Sequence, residues 1–136
     1  MRAGADTSFV LRLLTGDPAP MAEVALQWMR GHLAGGGRII ISGLVVAEAY
    51  YALHYHYQVP KAEALARLKD FMNSSGVEGT GCARTILSLS KLESLRPGFV
   101  DRMIVEQYLD TGADEVVTFE RAASKMAQVH VMDPGV

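Results

Sequence analysis

Four acidic residues are placed along the chain so that they could share a metal ion. Glu48 lies in the apolar stretch IIISGLVVAEAYYAL, where an ionised carboxylate is costly unless water, a cation or a metal meets it. Asp6 and Glu120 each follow a strand-like segment, and Asp101 falls near the start of a predicted helix. If the four carboxylates meet, their mutual repulsion requires a cation, and oxygen ligands without His or Cys select hard ions such as Mg²⁺. Such an ion activates water for attack on phosphorus, so the predicted chemistry is phosphodiester hydrolysis.

Each acid also has a structural alternative. Asp6 can cap a helix, Asp101 can complement the dipole of a helix that starts after Pro97-Gly98, and Glu120 can be a solvated turn residue. Glu48 can form an ion pair with Arg or Lys, or lie exposed to water. The metal hypothesis instead expects its apolar neighbours to hold the carboxylate in place and to exclude bulk water.

Other catalytic schemes have less support in the sequence. His54 and His56 are two residues apart on a predicted helix and would point to different sides, which does not suit a zinc pair. The glycines at 35–37 precede a strand, and no Lys-Ser/Thr follows them, so a phosphate-binding loop is not supported. Cys82 is the single cysteine, which excludes an internal disulfide and favours a reducing cytoplasm as the setting.

Composition favours one soluble domain over residues 1–136. The chain is 49% hydrophobic and 21% charged, shows no repeat, and has no apolar run long enough for a signal peptide or a membrane span. The net charge of -2 gives no overall basic signature for nucleic-acid binding. The segment 103–120 carries five acids and no Lys or Arg, and cations flank it on both sides.

Apolar periodicity predicts alternating helices and strands. Helices are predicted from Asp6-Thr7-Ser8 to the break at Gly16, and over 20–34, 43–57, 60–72, 82–94, 98–111 and 122–127. The β-branched run RIIIS, the segments at 77–78 and 115–119, and the final VHVM are strand-like, and residues 2–6 form a weak first strand.

This alternation predicts the α/β class, a three-layer α/β/α sandwich with a short, mostly parallel central sheet. In open parallel sheets, functional sites lie outside the carboxyl ends of the strands. Asp6, Glu48 and Glu120 all follow such ends, so we expect the acids to meet at one edge of the sheet.

Four motifs together resemble the PIN-domain ribonucleases, and particularly the VapC-type toxins of bacterial toxin-antitoxin pairs. The motifs are Asp6-Thr7-Ser8 with FVLRLLTGD, then LVVAEAYYAL, FVDRMI and VVTFER. The resemblance implies an endoribonuclease dependent on Mg²⁺ or Mn²⁺ that frequently dimerises and is neutralised by a small antitoxin protein.

By matching motif, the resemblance makes Asp6, Glu48 and Asp101 the core metal ligands and Glu120 the fourth catalytic acid. Ser8 and Thr118 match polar residues that support the site. Ser8 stands where Asn is more usual, and Glu120 where Asp is more usual. The candidates for holding an RNA substrate are the arginines close to these acids in sequence: Arg12, Arg96, Arg102 and Arg121.

A second hypothesis is a PIN-like module that only binds RNA or protein, with acids too far apart for catalysis. Two other α/β classes do not match the residues. A phosphorelay receiver needs adjacent acids after the first strand and a Lys after the last, and a haloacid-dehalogenase-type phosphatase needs an Asp at position 8.

Overall fold

The computed structural model describes residues 1–135, which form five short strands and six α-helices. The strands are β1 (Arg2–Gly4), β2 (Arg38–Ile41), β3 (Val77–Gly79), β4 (Val116–Thr118) and β5 (Val129–Val131). The helices are α1 (Thr7–Thr15), α2 (Ala19–Ala34), α3 (Gly43–Tyr51), α4 (Lys61–Met72), α5 (Ala83–Leu87) and α6 (Phe99–Asp110). This alternation confirms the predicted α/β class.

All strand pairs are parallel, and they occur in two small sheets. The first has the order β1-β2-β3, with Ile39 of β2 between Ala3 and Val77, and the second pairs β4 with β5. The Ala/Gly-rich first segment does pair with β2, over three residues.

The hydrophobic core surrounds the central strand β2. Ile39 and Ile41 are fully buried, and side chains from the flanking helices close over them, including Val10, Leu53, Leu68 and Phe99. The buried Phe99 ring contacts the buried Tyr50 ring edge-to-face at 5.6 Å, which fixes the start of α6 against α3.

Three predicted helices differ from the observed ones, and the shortest of them, over 122–127, is a 3₁₀ turn at Arg121–Lys125. The segment 82–94 does not form one helix, because α5 ends at Leu87 and a separate 3₁₀ turn covers Leu92–Ser94. Ser88 donates from its hydroxyl to the Thr85 carbonyl at 2.6 Å, a local bond that competes with helix continuation, and Lys91 has a left-handed φ of 55°.

The helix predicted over 43–57 is present but changes its winding. After α3, residues Ala52–His56 form a π-helical turn, in which the Tyr57 amide donates to the Ala52 carbonyl at 2.9 Å. No helix in residues 1–135 is both long and apolar enough to cross a membrane.

Candidate active site

Asp6 begins helix α1 and is held by local hydrogen bonds. Its Oδ1 accepts from the Phe9 amide at 3.1 Å and from the Ser8 hydroxyl at 2.8 Å. These two bonds, the Phe9 bond first, lower the pKa of Asp6. Asp6 therefore caps α1, as the structural alternative expected. Both bonds use Oδ1, so Oδ2 of this exposed carboxylate is available to a ligand.

Glu48 is exposed, which corrects the expectation of a carboxylate shielded by its apolar neighbours. The stretch is apolar because Val46, Ala49 and Tyr50 face the core, whereas Glu48 lies on the outer face of α3. Its Oε1 accepts a hydrogen bond from the Thr7 hydroxyl at 3.0 Å, and within residues 1–135 it makes no salt bridge.

Thr7 therefore connects Glu48 to the neighbourhood of Asp6. Thr7 is the residue after Asp6, so its contact with Glu48 brings the end of β1 and the outer face of α3 together. Sequence reasoning did not identify this contact, because a threonine in a capping triplet gives no signal about a partner 41 residues away.

Asp101 lies in the first turn of α6, near Tyr51 of α3. The Phe99 ring, two residues before Asp101, contacts the ring of Tyr50, the neighbour of Tyr51, at 5.6 Å. Burial and then the negative charge of Asp101 raise the pKa of Tyr51. Tyr51 follows Glu48 by three residues and so shares its helix face. The outer face of α3 thus connects the Glu48 end of the site to the Asp101 end.

Glu120 and Asp101 line the same cavity, of about 420 Å³. Glu120 begins a 3₁₀ turn, Arg121–Lys125, and its carboxylate accepts from the Ala122 amide at 3.1 Å. Thr118 supports this turn, because its hydroxyl accepts from the Glu120 amide at 3.0 Å. Glu120 is thus both a capping residue and a neighbour of Asp101 at this cavity.

A separate cavity of about 890 Å³ contains Asp6, Ser8 and Arg12. Its walls are mainly apolar and include Met21 and Trp28 of α2, which are 53% and 44% exposed. The apolar residues of α2 therefore divide into a buried part, at Ala25 and Met29, and an open part along this cavity.

The candidate arginines have different surroundings. Arg12 lines the larger cavity and donates to the Ser8 carbonyl at 3.2 Å, and Arg96 lines the smaller cavity with Asp101 and Glu120. Arg102 donates to the Pro97 carbonyl at 2.8 Å and thereby holds the loop before α6. Arg121 is exposed directly after Glu120.

Lys61 is a further cation at the smaller cavity, and the sequence did not single it out. Its Nζ lies 3.9 Å from the position that a Cβ on Gly98 would occupy, beside the start of α6. Because Lys61 is far from Asp101 in sequence, only the packing of the helices could reveal this proximity.

The four acids are linked in pairs: Thr7, next to Asp6, bonds to Glu48, and Asp101 lines one cavity with Glu120. We call these four residues the acidic edge. Oxygen donors of this kind suit a hard divalent ion such as Mg²⁺ or Mn²⁺, so the chemistry of the donors fits. In the described part of the chain, however, no three His, Cys, Asp or Glu side chains are gathered closely enough to hold one ion. Repulsion between carboxylates opposes such gathering until a cation compensates it.

Comparison with protein families gives a match over almost the whole chain: the model of the PIN domain matches residues 5–129. The chain belongs to the PIN-domain family. The matched region of this PIN domain includes all four candidate acids. Members of the family are generally metal-dependent nucleases. Searches among curated proteins and among solved structures found no significant match.

The charge of Asp6 should make folding stability depend on pH. Because hydrogen bonds hold the folded-state pKa of Asp6 below its ordinary value of 3.8, the ionised form favours the folded state. This stabilisation is complete above the unfolded-state pKa, and it is lost as the pH falls through the folded-state pKa. Asp6→Asn keeps a capping side chain without the charge, so its urea midpoint should depend less on pH below about 4. Equal pH dependence in both proteins would contradict this.

Proposed function

We propose that this PIN domain is a metal-dependent endoribonuclease and the toxin component of a toxin-antitoxin pair. The observation that carries the proposal is the linkage of the four acids, through the Thr7–Glu48 bond and through the cavity that Asp101 and Glu120 line together. Membership of the PIN-domain family supports a nuclease, and the resemblance to VapC-type toxins supports RNA as the substrate.

In this proposal Asp6, Glu48 and Asp101 hold Mg²⁺ or Mn²⁺. When bound, the ion lowers the pKa of a coordinated water and neutralises charge on the scissile phosphate. The three carboxylates would hold the ion and compensate its charge. Ser8 orients Asp6 through its 2.8 Å hydrogen bond, and Thr7 orients Glu48.

Glu120 and Thr118 have supporting roles. Glu120 faces the same cavity as Asp101 and is positioned to accept a proton or to hold a water there, and Thr118 fixes the turn that presents it. The RNA phosphates would be held by cations at the rims of the two cavities, Arg12, Arg96 and Lys61, with Arg121 next to Glu120.

The proposed partners follow from the toxin role. A small antitoxin protein would cover the acidic edge and block cleavage, two copies of the chain would associate as a homodimer, and the pair would act in the cytoplasm. Co-expression with a candidate antitoxin should restore growth to cells that the protein inhibits, and the purified pair should not cut RNA.

Cleavage of RNA by the purified protein tests the enzymatic function. The protein should cut single-stranded RNA internally with Mg²⁺ or Mn²⁺, and EDTA should stop the reaction. Excess Mg²⁺ should restore activity, which excludes irreversible unfolding by the chelator. Inactivity on RNAs of diverse sequence and structure would contradict the proposal.

A second candidate function is a module that binds RNA or protein without cutting it. The specific observation in its favour is that, within residues 1–135, no three acids are gathered around one point. Isothermal titration with Mn²⁺ distinguishes the two, because a nuclease site should bind the ion stoichiometrically and Asp101→Asn should weaken that binding. A binding module should show no such saturable site.

A further inference from the structure

A pair of aromatic side chains follows Glu48 by three and seven residues, at the end of α3 and in the π-helical turn, and has no role in the proposed reaction. Tyr51 and Tyr55 are 46% and 71% exposed, and their ring centroids are 6.0 Å apart with the planes tilted by 32°. Exposed aromatic side chains that lie together, unlike single ones, often mark a binding surface, and this pair lies on the same helix as a candidate site residue, Glu48.

The π-helical turn and the core hold these two rings in place. Tyr51 and Tyr55 are four residues apart, and Ala52–His56 between and after them form a π-helical turn. Residues at this spacing lie on about the same side of such a turn, as they do on an α-helix. Tyr51 also contacts the buried Tyr50 ring at 5.6 Å, and His54 packs edge-on against Tyr55 at 4.7 Å. Neighbours on both sides restrict the rings, so a ligand would order them at little entropic cost.

Positive charge is also available near Asp101. Arg96 and Lys61 line the cavity that contains Asp101, and Lys61 lies beside the start of α6. The aromatic rings follow Glu48 and the cations share a cavity with Asp101, so both lie near members of the acidic edge. A ligand that meets both needs flat apolar faces and regularly spaced negative charges, and a single-stranded polynucleotide has both.

We propose that Tyr51 and Tyr55 form a stacking platform for the bases of single-stranded RNA next to the scissile phosphate. The proposal rests on the proposed nuclease function of the adjoining acids, and it names the two side chains that would hold unpaired bases. In duplex RNA the bases are already stacked on each other, and the narrow major groove hides their edges. The platform therefore selects single strands without reading sequence.

Binding of short RNAs in the presence of EDTA tests the platform separately from cleavage. Fluorescence anisotropy would compare a labelled single strand of mixed sequence with its duplex, at one low salt concentration. Tyr55→Ala should weaken binding of the single strand by about 5- to 100-fold, and Tyr55→Phe, which keeps the ring, should bind nearly as the parent does. Duplex binding should be unchanged in both variants.

Tyr108→Ala is the matched control. Tyr108 is an equally exposed tyrosine, at 55%, but it lies roughly 10 Å further along α6 than Asp101, between Glu106 and Asp110. Its replacement should leave binding of the single strand unchanged. Thermal unfolding of each variant checks that a loss of binding does not come from a loss of folding.

The outcomes separate this proposal from the nuclease function. Weak binding by Tyr55→Ala supports the platform even if the parent protein cuts no RNA. RNA cleavage by the parent with unchanged binding by Tyr55→Ala overturns the platform and leaves the nuclease function intact.

A protein partner is the main rival occupant of this face, since Leu44, on the same face of α3, is 75% exposed. Dissociation of a dimer by Tyr55→Ala, with unchanged RNA binding, would assign the face to association of copies and overturn the platform.

Discussion

Replacing Asp101 with asparagine is expected to reduce RNA cleavage by at least about 100-fold. Loss of a residue that merely supports a metal ligand typically costs 10- to 100-fold in affinity or activity, and Asp101 is proposed as a ligand itself. The effect should appear in the rate of cleavage at saturating RNA, and raising the Mn²⁺ concentration should recover part of it. Gel-based assays with a labelled RNA measure both quantities.

Asp110→Asn is the control for this prediction. Asp110 is an exposed acid on the same helix, nine positions after Asp101 and roughly 13 Å further along the axis. The same change of charge and shape at this position should leave cleavage within about two-fold, because charges this far apart at a surface are largely screened. Equal losses in both variants would mean that overall charge, and not the position of Asp101, governs activity.

Asp101→Asn should also leave folding nearly unchanged. An acid in the first turn of a helix stabilises it by about 0.3–1 kcal/mol through the helix dipole, so the free energy of unfolding should fall by no more than that. A much larger loss of stability would assign Asp101 a structural role and remove the support that the cleavage result gives to metal binding.

Phe99→Ala is expected to lower the free energy of unfolding by about 3–5 kcal/mol. Phe99 is 1% exposed and is the largest of the fully buried side chains in the described residues. Replacing the ring with a methyl group removes buried apolar contacts and leaves a cavity between α6 and α3, next to Tyr50. Urea unfolding followed by circular dichroism measures the change, and a loss below about 1 kcal/mol would contradict the packing described for α6.

Phe119→Ala provides the comparison at a surface position. Phe119 is 69% exposed at the end of β4, so its replacement should change the free energy of unfolding by no more than about 0.5 kcal/mol. Phe99→Ala should have a second consequence that Phe119→Ala lacks. Because the Phe99 ring fixes α6 to α3, its loss should weaken Mn²⁺ binding even under conditions where the variant stays folded.

The fold class and most elements could be predicted from local sequence. Alternation of strand-like and helix-like periodicity follows from which side chains face the core, and RIIIS with its flanking helices shows this directly. The predicted helix at 82–94 was wrong because Ser88 and Lys91 end it through local backbone conformations that apolar spacing does not reveal. The pairing of the strands in two small sheets also depends on contacts between distant segments.

The sequence by itself determined the identity and order of the candidate acids, because residue type and position relative to a strand end are local properties. The tertiary structure decided how those acids are exposed and grouped. Glu48 lies outside because the neighbours of α3 cover its other face, and Asp6 lies in a different cavity from Asp101 and Glu120. Thr7, Lys61 and Tyr51 joined the site only through packing. Burial and proximity arise where elements far apart in sequence meet, so no local pattern could specify them.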